Sequence, residues 1–101
     1  MILYNVTISI ENVCHDEWLD WMRNRHLPDV MATGFFVKNT ILRLLTEEEN
    51  GSTTYAFQYY LPNLASLADY QNTYENVLQS QHQQRYRNRY VSFRTVLEVV
   101  E

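Results

Sequence analysis

The chain carries one histidine at a place where a small domain could use it. The run 18–34, Trp-Leu-Asp-Trp-Met-Arg-Asn-Arg-His-Leu-Pro-Asp-Val-Met-Ala-Thr-Gly, reads as an aromatic-rich helix with His26 at the end of its apolar face. Trp18, Leu19, Met22 and His26 recur at spacings of three and four, so they share one side of a helix. Imidazole titrates near neutrality and can serve as general acid or base. His26 is therefore the candidate catalytic residue, and it should point towards the sheet. Trp18 on the same side would shape a pocket wall. Asn5, Gln58 and Arg94 are polar positions on predicted strands and are candidate ligand-binding residues, although alternation alone does not settle which sheet face each one takes. Asp29 could orient the ring or cap the following turn. The plainer reading is structural: a half-buried histidine that bonds a backbone carbonyl at the end of an ordinary core helix.

Other chemistry-bearing residues are less well spaced. Trp18 and Trp21 are separated by about 300° of rotation along a helix, about 60° the short way round, so they cannot both point at the centre of the core. The other would line a pocket or meet a partner. Cys14, His15, Asp16 and Glu17 are metal-capable types, but adjacent residues rarely converge on one ion. His26 lies about 16 Å further along a continuous helix. No metal site and no cofactor are expected. Arg85, Arg87 and Arg89 interleave with Tyr86 and Tyr90, a pattern that can hold a single nucleic-acid strand. Arginines that complement a helix dipole are the simpler account, and the net charge of −4 argues against a nucleic-acid partner. There is no phosphate-cradling glycine loop and no paired-cysteine site.

The elements that would position these residues follow from periodicity. Residues 2–10 alternate, with Ile2, Tyr4, Val6, Ile8 and Ile10 on one face of a strand. Asp16 and Glu17 supply first-turn acids for the first helix. Pro28 predicts a kink or an end near His26, and it can start a short second turn, where its missing donor costs nothing; Gly34 is a terminator. Strands are predicted over 35–45 and 54–61, joined by a charged tip at 46–53 in which Asn50-Gly51 is a strong turn pair. Pro62 ends the third strand. Ser66 with Asp69 resembles a capping box, with Asn63 as a rival cap. Leu64, Leu67, Tyr70 or Gln71, Tyr74, Val77 and Leu78 mark the inner face of a second helix that runs to about Tyr86. The last strand is predicted over 91–100.

Strand, helix, strand, strand, helix, strand is the ferredoxin-like split βαβ order. It is an α+β fold with a four-stranded antiparallel sheet and two helices on one face, the first and third strands central. At 101 residues the chain is expected to be one domain, 1–101. One cysteine, no apolar run near the roughly 20 residues that span a bilayer, and no signal-like start point to a cytoplasmic protein with no membrane partner. The uncovered sheet face measures roughly 300–350 Å² in plan. It carries either Tyr55, Phe57, Tyr59 and Leu61 or Ala56, Gln58 and Tyr60. Both rows contain aromatics, so a homodimer pairing sheet to sheet is expected. A stable interface buries about 800 Å² per partner, so edge strands or helix ends must add to it.

The stretch 18–34 resembles a small bacterial family of unknown function, domain family 4286. The likeness includes Tyr4-Asn5-Val6-Thr7, Thr54-Tyr55-Ala56-Phe57-Gln58-Tyr59 and Phe93-Arg94-Thr95-Val96-Leu97-Glu98, in order along nearly the whole chain. The resemblance implies the ferredoxin-like, dimeric α/β-barrel architecture and no known activity. More loosely, His26-Leu27-Pro28 after an aromatic helix is similar to the His-x-Pro signature of the ethyl-tert-butyl-ether-degradation family. Those proteins share the dimeric barrel with cofactor-free monooxygenases and small-molecule isomerases. That similarity marks only His26 and Pro28. Two functions are therefore expected: cofactor-independent catalysis on, or binding of, a small aromatic or enolisable molecule, or else a non-catalytic homodimeric interaction module. A polar cavity of roughly several hundred Å³ beside His26 favours the first; a filled core favours the second.

Overall fold

The computed structural model describes residues 1–46 and 50–101. Residues 47–49 of the expected hairpin tip lie outside the described residues. Strand β1 spans Ile2–Glu11, β2 Lys38–Arg43, β3 Ser52–Leu61 and β4 Tyr90–Glu98. The sheet order is β2-β3-β1-β4 and each neighbouring pair is antiparallel, so β1 and β3 are central. Two helical crossovers cover one face, and the fold is ferredoxin-like. The first crossover comprises α1 (His15–Trp21), a π-helical turn (Met22–His26) and α2 (Leu27–Ala32). The second comprises α3 (Leu64–Tyr70), a π-helical turn (Gln71–Glu75) and α4 (Asn76–Arg85).

Alternation decides which sheet face is covered. Tyr4, Val6, Ile8 and Ile10 of β1 are buried beside Tyr55, Phe57, Tyr59 and Leu61 of β3. Trp18 of α1 packs on Tyr55 and Phe57, and Tyr70 of α3 packs on Tyr4, so these rows form the helix-side core. Ala56, Gln58 and Tyr60 therefore belong to the open face.

Several elements differ from expectation, each for a physical reason. The second strand begins at Lys38, not at 35. Phe35 and Phe36 are consecutive, yet both rings meet Tyr70, at 6.1 and 4.7 Å. A strand would send them to opposite faces. The first crossover does not end at His26: it runs on for the further turn that Pro28 can start, to Ala32. Its helix continues through Pro28, because the π turn before it shifts the ladder: the Leu27 N–H bonds the Met22 carbonyl, five residues back. A widened turn is where a helix can take a ring that lacks a donor. The cap of α3 is Asn63, whose Oδ1 accepts the Ser66 N–H at 2.9 Å.

The π turns also explain the inner faces. Trp18, Met22, His26 and Val30 are spaced by four, and all sit inward. In a straight α-helix each step of four overshoots a full turn by about 40°, so Trp18 and Val30 would drift about 120° apart. The π turn, with more residues per turn, absorbs part of that drift. In the second crossover the same device moves the inward set to Leu67, Tyr70, Leu78, His82 and Tyr86. Leu64, Tyr74 and Val77, expected inside, are exposed.

Replacing Asn63 with Ala should lower the free energy of unfolding by about 1 kcal/mol, whereas Ser66→Ala should change it by no more than about 0.5 kcal/mol. Urea denaturation checks this; equal losses in the two variants would point to Ser66 as the cap.

Candidate functional site

Between the helix-side sheet face and the two crossovers lies a cavity of about 40 Å³. That is room for two or three waters, not for a whole drug-sized ligand. Its floor is apolar, with Val6, Met22 and Phe57. Its polar wall is built by His26, His82, Glu75, Arg94, Tyr4 and Tyr70. The exposed lining residue Ser92 and the one-third-exposed Arg94 side chain mark a mouth along the β4 edge. His26 and Glu75 are each the last residue of a π turn.

His26 is held in by its environment rather than by a bond. Its Nδ1 is buried and has no hydrogen-bond partner among the described residues. Burial pulls its pKa from 6.5 down to about 4, Asp29 opposing and the Arg94 charge assisting. The ring is therefore neutral at pH 7. Trp21 packs at 5.3 Å from it and His82 at 5.8 Å.

His82 is fixed by a buried bond. The fully buried Trp18 indole N–H donates to His82 Nε2 at 2.9 Å. Indole nitrogens are donors only, so His82 Nε2 is the acceptor and a neutral ring carries its proton on Nδ1. Burial, with the His26 and Arg94 fields behind it, lowers the His82 pKa to about 3. Trp21 stacks on the same ring, 5.8 Å away and 11° from parallel.

Glu75 organises the opposite wall. Its Oε1 accepts the Tyr4 hydroxyl and stands 3.5 Å from Arg94 Nε. Burial, reinforced by the bond to Glu75, raises the Tyr4 phenol to about 12. Burial likewise raises Tyr59 and Tyr70, so these hydroxyls stay protonated.

The predicted site residues thus divide. His26 and Arg94 line the cavity together. Trp18 reaches it through His82. Asn5 and Gln58 are cross-strand partners on the open face, so the sheet stands between them and His26. Asn5 bonds the Thr7 hydroxyl on that face at 3.0 Å. Asp29 pairs with Arg25 at 3.3 Å rather than with His26. His15 bonds Asp16 and Tyr55, at 2.8 and 2.7 Å. Of the arginine cluster, Arg85 pairs with Glu17 and Arg89 with Glu11. His82, Glu75 and Tyr4 are the cavity residues that sequence reasoning missed. For His82 a signal exists: Leu78, His82 and Tyr86 repeat the spacing of four seen at Trp18, Met22 and His26.

The pattern of the domain of unknown function DUF4286 matches residues 1–100. The chain belongs to the DUF4286 family. No curated protein matches it. Among solved structures it is similar to HapK of Hahella chejuensis, at 12% identity and a TM-score of 0.71, covering 99% of this chain and 93% of that one. It is similar also to an ethyl tert-butyl ether degradation family protein of Bacillus halodurans, at 13% identity and TM-score 0.70, covering 99% and 100%. A dimeric ferredoxin-like protein from an uncultured marine organism gives 9% identity and TM-score 0.66, covering 100% and 96%. These identities carry the fold alone. Among the described residues of the DUF4286 chain no helix is long and apolar enough to cross a membrane.

The neutral His26 makes stability depend on pH. The unfolded chain takes a proton on this ring near 6.5 and the folded chain only near 4. Between those values the unfolded state binds more protons, so stability is complete above 6.5 and falls as the pH drops towards 4. The loss from His26 should approach about 3 kcal/mol. Denaturant unfolding of the native chain and of His26→Gln across this window checks it. Parallel pH profiles would contradict a buried neutral ring.

Proposed function

We propose that the DUF4286 chain binds a small molecule in this cavity and that His26 exchanges a proton with it or polarises it, without help from a redox cofactor. The observation that carries the reading is that His26 lines a polar cavity and has a buried Nδ1 with no hydrogen-bond partner among the described residues. Leaving such an atom unbonded costs about 1–3 kcal/mol, and a ligand's polar group would satisfy it. A neutral imidazole offers both a donor and an acceptor. Its low proton affinity suits the polarising of a carbonyl or the rapid return of a proton, rather than the holding of one. His82, oriented by Trp18, stands beside His26 on the same wall, their ring centroids 5.8 Å apart. At about 40 Å³ the cavity falls short of the roughly several hundred Å³ that would favour this reading by volume, so the reading rests on His26, and only a ligand's reactive end would enter. The remainder would lie at the mouth along β4.

The chain would work as a homodimer. Its open sheet face carries two largely apolar rows, Leu42–Ala56–Thr7–Phe93 and Lys38–Tyr60–Leu3–Leu97, around the polar row Thr40–Gln58–Asn5–Thr95. Phe93 and Val91 are 62% and 71% exposed there. A second copy laid face to face would cover them, with Asn5 and Gln58 satisfied within the interface. The similarity to a dimeric ferredoxin-like protein supports this.

The ring resonances of His26, followed by NMR with a library of small carbonyl and aromatic compounds, test the site. At least one compound should shift them saturably, and the shift should vanish in His26→Ala. Rings silent to the whole library would sink the proposal. Sedimentation at micromolar concentration should show twice the 12.1 kDa chain mass; a 12.1 kDa species alone would reject the dimer.

A further inference from the structure

The polar wall of the cavity carries donors that the described residues leave without an acceptor. Glu75 is its one carboxylate among the described residues, and Oε1 is already taken by the Tyr4 hydroxyl and by the approach of Arg94 Nε. The two terminal amino groups of Arg94 have no hydrogen-bond partner among the described residues, although the side chain is only 33% exposed. His82 adds a donor. With Nε2 occupied by Trp18, its proton stands on Nδ1. Below these donors the floor is apolar.

From this donor set we infer that the cavity takes the carboxylate end of a small organic acid, held by the terminal amino groups of Arg94, with His82 Nδ1–H as a further donor. The inference rests on the small-molecule reading above and names its ligand class. Three observations narrow it. A guanidinium presents parallel donors that match the two oxygens of a planar carboxylate. The cavity, at about 40 Å³, admits a group of a few heavy atoms. Its fixed charges are one cation and one anion, so an entering carboxylate meets the attraction of Arg94 and the repulsion of Glu75 together. The Arg94 field reaches both imidazoles and helps to keep them uncharged, which leaves Arg94 as the cation an acid would seek. Glu75 competes for that cation and so sets how tightly the acid is held.

Acetate is the probe, with acetamide as its uncharged counterpart, titrated into the 101-residue chain at pH 7 and constant ionic strength. Side-chain NMR signals of Arg94 and His82 report binding. Acetate should shift both saturably with a midpoint in the millimolar range, and acetamide should bind at least roughly tenfold more weakly. Arg94→Met should abolish the response. Glu75→Gln keeps an acceptor for Tyr4 but removes the competing charge, so it should tighten acetate several-fold. That variant keeps the test decisive if Arg94→Met fails to fold. Equal binding of acetamide, an undiminished response in Arg94→Met, or weaker acetate binding in Glu75→Gln would each overturn the inference. If uncharged compounds shift His26 while acetate shifts nothing, the carboxylate inference falls and the small-molecule reading stands. If no compound of either kind shifts any cavity residue, both fall.

Discussion

The bond from the Trp18 indole to His82 Nε2 is the constraint on which the rest of the cavity depends. A fully buried indole N–H must find an acceptor. The acceptor here comes from the other crossover, 64 residues along the chain. One bond therefore ties α1 to α4 above the sheet. It also settles the chemistry of the ring it uses, since a histidine that accepts at Nε2 must stay unprotonated there. Trp21 stacked on the same ring closes it from a second side. The neutral state of His82, its Nδ1 proton and its orientation all follow from packing around Trp18.

The two faces of the sheet divide the work. The helix side holds the aromatic core and the cavity, where the ion pair of Glu75 with Arg94 sits among protonated phenols and neutral imidazoles. The far side carries no helix, and its mixture of apolar rows with a central polar row suits another protein surface better than bulk water. β4 belongs to both. Its Arg94 turns towards the cavity, and its Phe93 towards the open face.

Most of the fold is legible in the sequence, because period two in β1 and β3 and the stripe from Trp18 to His26 are strong signals read against a familiar order of elements. The ends of β2 are not, since tertiary contact of Phe35 and Phe36 with Tyr70 overrides strand propensity. Of the site, His26 and Arg94 are legible as types in plausible places. Glu75 is hidden, because an even helical count turns Tyr74 and Val77 inward instead. His82 is hidden in a run of glutamines whose composition reads as solvated surface, and only a partner on another helix makes it a buried ring. Asn5 and Gln58 are readable as strand residues. Their face is not, because polar side chains occur on both sides of a sheet whose second face is half apolar.

The π turns have a consequence for how such a domain can change over time. A π turn accommodates one residue more than the α ladder around it, while the helix on either side keeps its face to the sheet. Loss of that extra residue from Gln71–Glu75 would leave Leu78, His82 and Tyr86 packed inward and remove the slot that presents Glu75. The same holds at Met22–His26 for the ring at its end. The architecture thus places two of its polar cavity-lining residues, His26 and Glu75, at points where chain length can vary without repacking the core, and relatives that differ there by a single insertion or deletion would share every buried aromatic yet line the cavity with different chemistry.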